Sequence, residues 1–241
     1  MPDTVRVWRL PYRDARALIA DLRRLVDEER FEYILGIVKR RAPGAWECSI
    51  EATDPGAEPP NTLIAGLECD RAGCEWEVRA SSEWVSRTAE RVAILQAEGL
   101  WQRPHPWLDL VMPDSAVDDL LPEVLGSPSA GGLDPLRVLL YPLRPNRCHR
   151  PLLRLPEEER AFLVDVLSTA TDRAAADAMT VSNRALYERN RLQGGTMYPI
   201  GALPLAADEW REHFGSRWDE LQRAKSRFDP DGVLTPGPGI F

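Results

Sequence analysis

Two side chains near the middle of the chain have the chemistry for proton transfer. His105 lies between two prolines, just before the predicted strand Trp107 to Met112, and an imidazole titrates near neutral pH without further help. Asp109 shares a face of that strand with Trp107, and poor solvation beside an indole raises the pKa of a carboxyl group. Each residue also has a structural interpretation, His105 as a turn residue and Asp109 as a surface aspartate. Both are therefore candidates for a catalytic acid or base, with that alternative open.

A second polar group follows the predicted strand LRVLLYPL. Tyr141 and Arg144 lie at its end. A guanidinium binds a carboxylate or an enolate oxygen through paired hydrogen bonds, so Arg144 is a candidate catalytic residue together with Tyr141. The alternative for Arg144 is a surface salt bridge.

Apolar and aromatic side chains predict the walls of a pocket. Tyr33, Leu35 and Ile37 alternate in the predicted strand FEYILGIVKR and therefore share one face. The chain has eight tryptophans, too many for the core alone, which indicates a concave apolar site for a bulky ligand. Trp107 is assigned to this site. These four residues are thus predicted to bind substrate.

The predicted helix from Asp172 to Leu192 adds two candidates for substrate binding. Asn183 and Tyr187 lie on one face of this helix together with Asn190, because residues three and four apart are neighbours on a helix. Polar groups at this spacing also form solvated helix faces, and that alternative stays open.

Composition excludes several functional classes. The chain of 241 residues has a net charge of −8 and no long basic run, which argues against nucleic-acid binding. No apolar run reaches the ~18 residues of a membrane span, and the N-terminus lacks an apolar leader segment, so a cytoplasmic protein is expected. Four cysteines without a CxxC pair, and three histidines, make a metal site unexpected.

The elements that must position these residues predict an α+β fold. Alternating strands such as VRVWRLPY precede amphipathic helices, and no glycine-rich phosphate loop follows the first strand. This favours a large, mostly antiparallel sheet with helices packed on one face. A strand is also predicted from Thr62 to Cys69, and a helix from Ser82 to about Glu98. Residues 1–241 are predicted to form one domain, with an irregular tail over residues 229–241 that contains three prolines and three glycines.

Five stretches carry a resemblance to a known family. In chain order they read VRVWRLPYRD, FEYILG, HPWLDLVMP, VLLYPLRPNR and EWREHFGSRWDELQRAKSRFDPDGVLTPGPGIF. Together they resemble the substrate-binding domain of cytokinin dehydrogenase, an FAD-linked oxidase of the vanillyl-alcohol-oxidase class. The resemblance implies a cap domain whose antiparallel sheet covers a flavin ring and forms the roof of a substrate pocket. In complete members an FAD-binding domain precedes it.

Three positions depart from the pattern of that family. Leu35 stands where the family has a glutamate that contacts substrate, and Pro238 stands where the closing motif has a glutamine near the flavin. The stretch MYPIGALPL keeps Tyr198, a candidate for substrate binding, but not the family's histidine. Against the pattern of the family that the chain resembles, these three departures indicate a chain that no longer takes part in flavin chemistry.

The expected function is that of a flavin-independent enzyme. It would cyclise, rearrange or isomerise a hydrophobic metabolite in secondary metabolism, without a cofactor, as a monomer or a homodimer. One alternative is the substrate-binding subunit of a split FAD-dependent oxidase, in which a separate FAD-binding subunit supplies the flavin. The other is a non-catalytic ligand-binding module.

Overall fold

A single sheet organises the molecule. The computed structural model describes residues 2–42, 44–56, 58–133, 136–234 and 237–241. The strands of these residues are β1 (Thr4–Tyr12), β2 (Tyr33–Ala42), β3 (Ala45–Asp54), β4 (Glu75–Ala80), β5 (Leu108–Pro113), β6 (Arg137–Leu143), β7 (Ala161–Leu167) and β8 (Thr196–Met197). Their spatial order is β4-β1-β3-β2-β6-β7-β5-β8, and every neighbouring pair is antiparallel. The predicted α+β class with a large antiparallel sheet is confirmed.

Seven α-helices occur in the described residues: α1 (Ala15–Glu28), α2 (Pro60–Leu63), α3 (Ser81–Ala97), α4 (Val117–Gly126), α5 (Arg173–Leu192), α6 (Ala207–Phe214) and α7 (Trp218–Phe228). Helix α3 confirms the prediction of a helix from Ser82. The strand predicted from Thr62 to Cys69 is wrong, because its first residues belong to α2 and the rest form turns. None of these helices is long and apolar enough to cross a membrane.

One face of the sheet carries the main core. Helix α1 begins where the carboxylate of Asp14 accepts a hydrogen bond from the N–H of Ala17 (2.9 Å). Its buried Leu18 and Leu22 press against Gly36 of β2, where a Cβ atom would lie 2.8 Å from Leu22 Cδ1. Because alternate residues of a strand point to opposite faces, the even-numbered positions of β2 face this helix.

The opposite face of the sheet, called here the open face, carries the odd-numbered residues of β2, β3, β5, β6 and β7. Helix α3 crosses this face, with the ring of Trp84 packed edge-on against Tyr33 at 5.7 Å. Helices on one face only were expected, so α3 is the exception. It covers part of the surface on which five of the predicted site residues lie, namely Tyr33, Leu35, Ile37, Asp109 and Tyr141.

Candidate functional site

Two carboxyl groups face each other across neighbouring strands on the open face. Asp109 in β5 lies directly opposite Asp165 in β7, within hydrogen-bonding reach. Burial raises the pKa of Asp109 to about 6, and burial together with the charge of Asp109 raises the pKa of Asp165 to about 8. The two values describe the pair, which therefore holds one proton near neutral pH.

The chain that follows β8 shields this pair from water. The N–H of Tyr198 donates to the carbonyl of Asp109 (3.0 Å), and the N–H of Ala202 donates to the carbonyl of Trp107 (2.8 Å). Asp109 is only 5% exposed. Asp109 Oδ2 and Asp165 Oδ1 are buried and have no hydrogen-bond partner among the described residues. Because such oxygens are costly to leave unpaired, the proton that the pair holds is retained between the two carboxyl groups.

Gly201 is part of this cover. A Cβ atom there would lie 2.5 Å from Asp109 Oδ2 and 2.9 Å from the carbonyl oxygen of Trp107. Gly201→Ala is therefore expected to lower the free energy of unfolding by about 1–3 kcal/mol, the usual cost of overpacking. The control is Gly126→Ala at the end of α4, since nothing lies within 4 Å of a Cβ at that position. Urea unfolding checks both variants, and equal midpoints would contradict this packing.

A cleft of about 750 Å³ opens at the end of the sheet, where β2 begins and β6 ends. Three of the predicted site residues line it: Tyr33, Tyr141 and Arg144. Phe31 and Leu143 add apolar walls. The structure thus brings together residues that are more than a hundred positions apart in the sequence.

The two polar residues predicted at the end of β6, Tyr141 and Arg144, lie in different environments. Burial, and then the charge of Asp165, raise the pKa of Tyr141 to about 12, so its hydroxyl stays protonated and can donate a hydrogen bond. Arg144 instead donates to Glu29 Oε1 (2.6 Å) and to the carbonyl of Asp27 (2.7 Å). Arg144 therefore forms the surface ion pair that was its alternative, at the edge of the cleft.

The predicted apolar wall of β2 continues along the open face beyond the cleft. Leu35 and Ile37 are 5% and 7% exposed. The hydroxyl of Tyr33 accepts a hydrogen bond from Arg87 Nη2 (3.0 Å), and burial raises the pKa of this tyrosine. Leu35 and Ile37 lie on the open face between β3 and β6, next to Tyr141 rather than in the cleft.

His105 lies in an aromatic group at the start of β5. Its ring centroid is 5.5 Å from that of Trp107 and 6.4 Å from that of Trp101, and its Nδ1 is 3.2 Å from Thr169 Oγ1. None of these contacts is with a carboxyl group. Neither His105 nor Trp107 lines the cleft, and their catalytic and binding roles stay predictions.

Asn183 and Tyr187 lie on the helix side of the sheet. Asn183 Nδ2 donates to the carbonyl of Pro106 (2.9 Å), and Tyr187 is 4% exposed within the main core. The alternative of a solvated face is wrong, because both side chains are buried. They do not join the open-face residues. Tyr198 does come near Asp109 through its backbone, and its side chain is 41% exposed.

Sequence reasoning missed Asp165 and the charged residues beneath α3. Asp165 interrupts the apolar strand AFLVDVL, and this single carboxylate is the signal that was available. Glu51, Arg91 and Arg137 also lie between α3 and the open face. Their sequence context is that of ordinary surface residues, so no local pattern identifies them.

A family model and individual relatives of known sequence point to the same family. Residues 72–241 match the family model described as cytokinin dehydrogenase 1, FAD and cytokinin binding. An oxidoreductase of the fasciation locus of Rhodococcoides fascians is 28% identical over 98% of this chain and 54% of its own length. Cytokinin dehydrogenase 4 of Oryza sativa subsp. japonica is 30% identical over 100% of this chain and 52% of its own length. The chain spans about half the length of these relatives.

Solved structures agree on the fold. Xylooligosaccharide oxidase from Myceliophthora thermophila aligns with a TM-score of 0.62 at 12% identity, over 95% of this chain and 53% of that enzyme. A variant of berberine bridge enzyme aligns with a TM-score of 0.59 at 15% identity, over 100% of this chain and 56% of that chain. At these identities the likeness establishes the architecture alone.

Proposed function

Because this chain belongs to the family of the FAD- and cytokinin-binding domain of cytokinin dehydrogenases, we propose that it binds a hydrophobic small molecule on its open face and transfers a proton on it. The reaction class is an isomerisation, rearrangement or cyclisation without a flavin. The observation that carries the proposal is the buried Asp109–Asp165 pair, whose pKa values bracket neutral pH.

The pair supplies both partners of a proton transfer. Its ionised carboxyl accepts a proton from an acidic C–H of the substrate, and its protonated carboxyl returns one to another atom. The hydroxyl of Tyr141 donates a hydrogen bond to the oxygen on which negative charge develops. The buried Leu35, Ile37 and Val111 exclude water from the same face, which strengthens each of these interactions.

FAD is the cofactor that the family implies, and the residues of the open face do not fit its nucleotide part. A dinucleotide pyrophosphate is held by backbone N–H groups of a glycine-rich turn at a helix N-terminus. Among the described residues, none of the helices α1, α3, α4 and α5 begins in such a turn. The negative charge of the Asp109–Asp165 pair repels phosphate. The open face therefore fits a substrate and not the nucleotide, and no step is assigned to a flavin.

Two substitutions support independence from flavin. Leu35 presents an apolar side chain on the open face, where the family pattern has a glutamate that contacts substrate. Pro238 replaces the family's glutamine and has no N–H to donate. Both changes remove polar groups that the family directs at flavin or amine.

The test is hydrogen–deuterium exchange on an apolar ketone. With 2-tetralone in D₂O at neutral pH, the chain is expected to accelerate loss of the α-proton NMR signal at least about tenfold over buffer. Asp109→Asn combined with Asp165→Asn removes the ionisable pair with little change in shape, so it should return the rate to that of buffer. A wild-type rate no faster than this variant's would contradict the proposal.

A second function is favoured by exposed apolar side chains near the C-terminus. Phe228, Val233 and Leu234 are 73%, 81% and 60% exposed. Such a group suits contact with a partner, and the partner we propose for this alternative is a separate FAD-binding subunit of a split oxidase. Purification with and without added FAD separates the two functions. Stoichiometric flavin in the visible spectrum would overturn flavin independence and favour the subunit.

A further inference from the structure

Helix α3 directs two arginines at the open face. Trp84, Arg87, Arg91 and Leu95 follow one another at intervals of three and four residues, so they form one stripe of the helix. The stripe faces the sheet, because Trp84 and Leu95 are buried and Arg87 contacts Tyr33. Arg91 therefore also lies above the strands, next to β6.

Arg87 has a full set of partners. It donates from Nη1 to the carbonyl of Trp84 (2.9 Å) and from Nη2 to the hydroxyl of Tyr33 (3.0 Å). Its Nε lies 3.5 Å from Glu51 Oε1, and its guanidinium stacks 3.6 Å from the centroid of the Trp84 ring. The carboxylate of Glu51 is thus already engaged by Arg87.

Arg91 and Arg137 lack such partners. Neither forms a hydrogen bond or an ion pair with any described residue, and the Nε of Arg137 is completely buried. Burial, and then repulsion by Arg137, lower the pKa of Arg91 to about 10, and burial lowers the pKa of Arg137. Lys39 lies directly opposite Arg137 in the register of β2 and β6 and adds a third positive charge.

This concentration of positive charge is unusual for a chain whose net charge is −8. Glu51 attracts Arg137 but is shared with Arg87 and Lys39, and half-buried guanidiniums with so little counter-charge are costly in the absence of an anion. A guanidinium matches a carboxylate through two parallel hydrogen bonds. A phosphate dianion would suit the site less well, because Glu51 and the Asp109–Asp165 pair line the same face and repel a second negative charge.

We infer that Arg91 and Arg137 bind the carboxylate of a small apolar acid, whose hydrophobic part lies along Leu35 and Ile37 beside Tyr141. This inference rests on the proposed function in taking the open face as the substrate-binding surface. It adds the chemical class of the ligand, a monocarboxylic acid with an aromatic or aliphatic body. It also separates binding, by the two arginines, from proton transfer, by the two aspartates.

The experiment compares an acid with its neutral amide. Isothermal titration of the whole chain with phenylacetate and with phenylacetamide is expected to give a Kd about tenfold lower for the acid. Arg91→Gln and Arg137→Gln should each raise the Kd for phenylacetate about tenfold and leave that for phenylacetamide unchanged. Arg173→Gln is the matched control, because Arg173 is exposed on α5 and pairs with Asp177, and it should change neither Kd.

Several results would overturn the inference. The inference is wrong if the wild-type chain does not bind phenylacetate, or if acid and amide have equal Kd values. It is also wrong if Arg91→Gln leaves the Kd for phenylacetate unchanged, or if equimolar inorganic phosphate displaces phenylacetate. If Arg137→Gln does not fold, the Kd of Arg91→Gln for phenylacetate tests the inference, because Arg91 lies on the surface of a helix and its replacement should not prevent folding. Binding of phenylacetate is measured independently of proton exchange on 2-tetralone. If only the binding fails, the carboxylate inference is wrong, and if only the exchange fails, the proposed function is wrong.

Discussion

Asp165→Asn is expected to raise the midpoint of thermal unfolding by about 5–10 °C at about pH 8.5 and by much less at about pH 5. The folded-state pKa of Asp165 is raised to about 8 by burial and by the charge of Asp109. In the unfolded chain an aspartate has a pKa of about 3.9. The folded state therefore binds this proton more tightly than the unfolded state does.

The sign of the effect follows from this difference. Stability from the bound proton is fully present below the unfolded pKa and is lost as the pH rises through the folded pKa of about 8. Asparagine has nearly the shape of the protonated acid and never ionises. The variant therefore escapes the loss at high pH and gains little at about pH 5, where only a small part of the loss has occurred.

Thermal melts of both proteins across this pH range, followed by circular dichroism, measure the effect. Asp177→Asn serves as control, because Asp177 is exposed on α5 in a pair with Arg173, and its effect should not vary in this way. Parallel melting curves for the wild type and Asp165→Asn between about pH 5 and 9 would contradict the buried pair.

Asp54→Ala is expected to lower the free energy of unfolding by about 3–5 kcal/mol. The carboxylate of Asp54 accepts hydrogen bonds from Arg6 Nη2 (2.6 Å), Trp8 Nε1 (2.6 Å) and the N–H of Gly56 (2.7 Å). The side chains of Arg6 and Asp54 are 9% and 4% exposed. Alanine would leave the guanidinium of Arg6 buried without its counter-charge, and that is the main cost.

Urea unfolding at neutral pH measures this loss. Arg6→Met combined with Asp54→Leu removes both charges, so it should recover most of the stability. Glu77→Ala removes an exposed partner of Arg79 in β4 and should cost under about 1 kcal/mol. A double variant as unstable as Asp54→Ala would show that lost packing, and not an unpaired charge, is responsible.

The sheet could be predicted from the sequence because alternation is a local property. Tyr33, Leu35 and Ile37 share a face as expected, and α3 and α5 lie where helical spacing predicted them. The strand predicted from Thr62 failed because a short apolar run fits a buried turn as well as a strand. Leu63, Ile64 and Leu67 are indeed buried there, but at the end of α2 and in the turn that follows it.

The site could be predicted only in part, because its pairing is non-local. Asp109 was identified from its own strand, whereas its partner Asp165 depends on the register between β5 and β7. The polar stripe of α5 suggested solvent, yet Asn183 and Asn190 are buried, and they donate to the carbonyl of Pro106, just before β5, and to that of Val111 in β5. Spacing on a helix fixes which residues share a face, and it does not say what that face contacts.

A substitution has different consequences on the two faces of the sheet, and this difference determines which positions can diverge within the family. At Gly36 any side chain would collide with Leu18 and Leu22, so this position is closed to change. At the neighbouring Leu35 the side chain lies outside the main core, and a glutamate can be exchanged for a leucine without disturbing it. One residue along a strand thus separates a position that preserves the architecture from one that can acquire a new ligand.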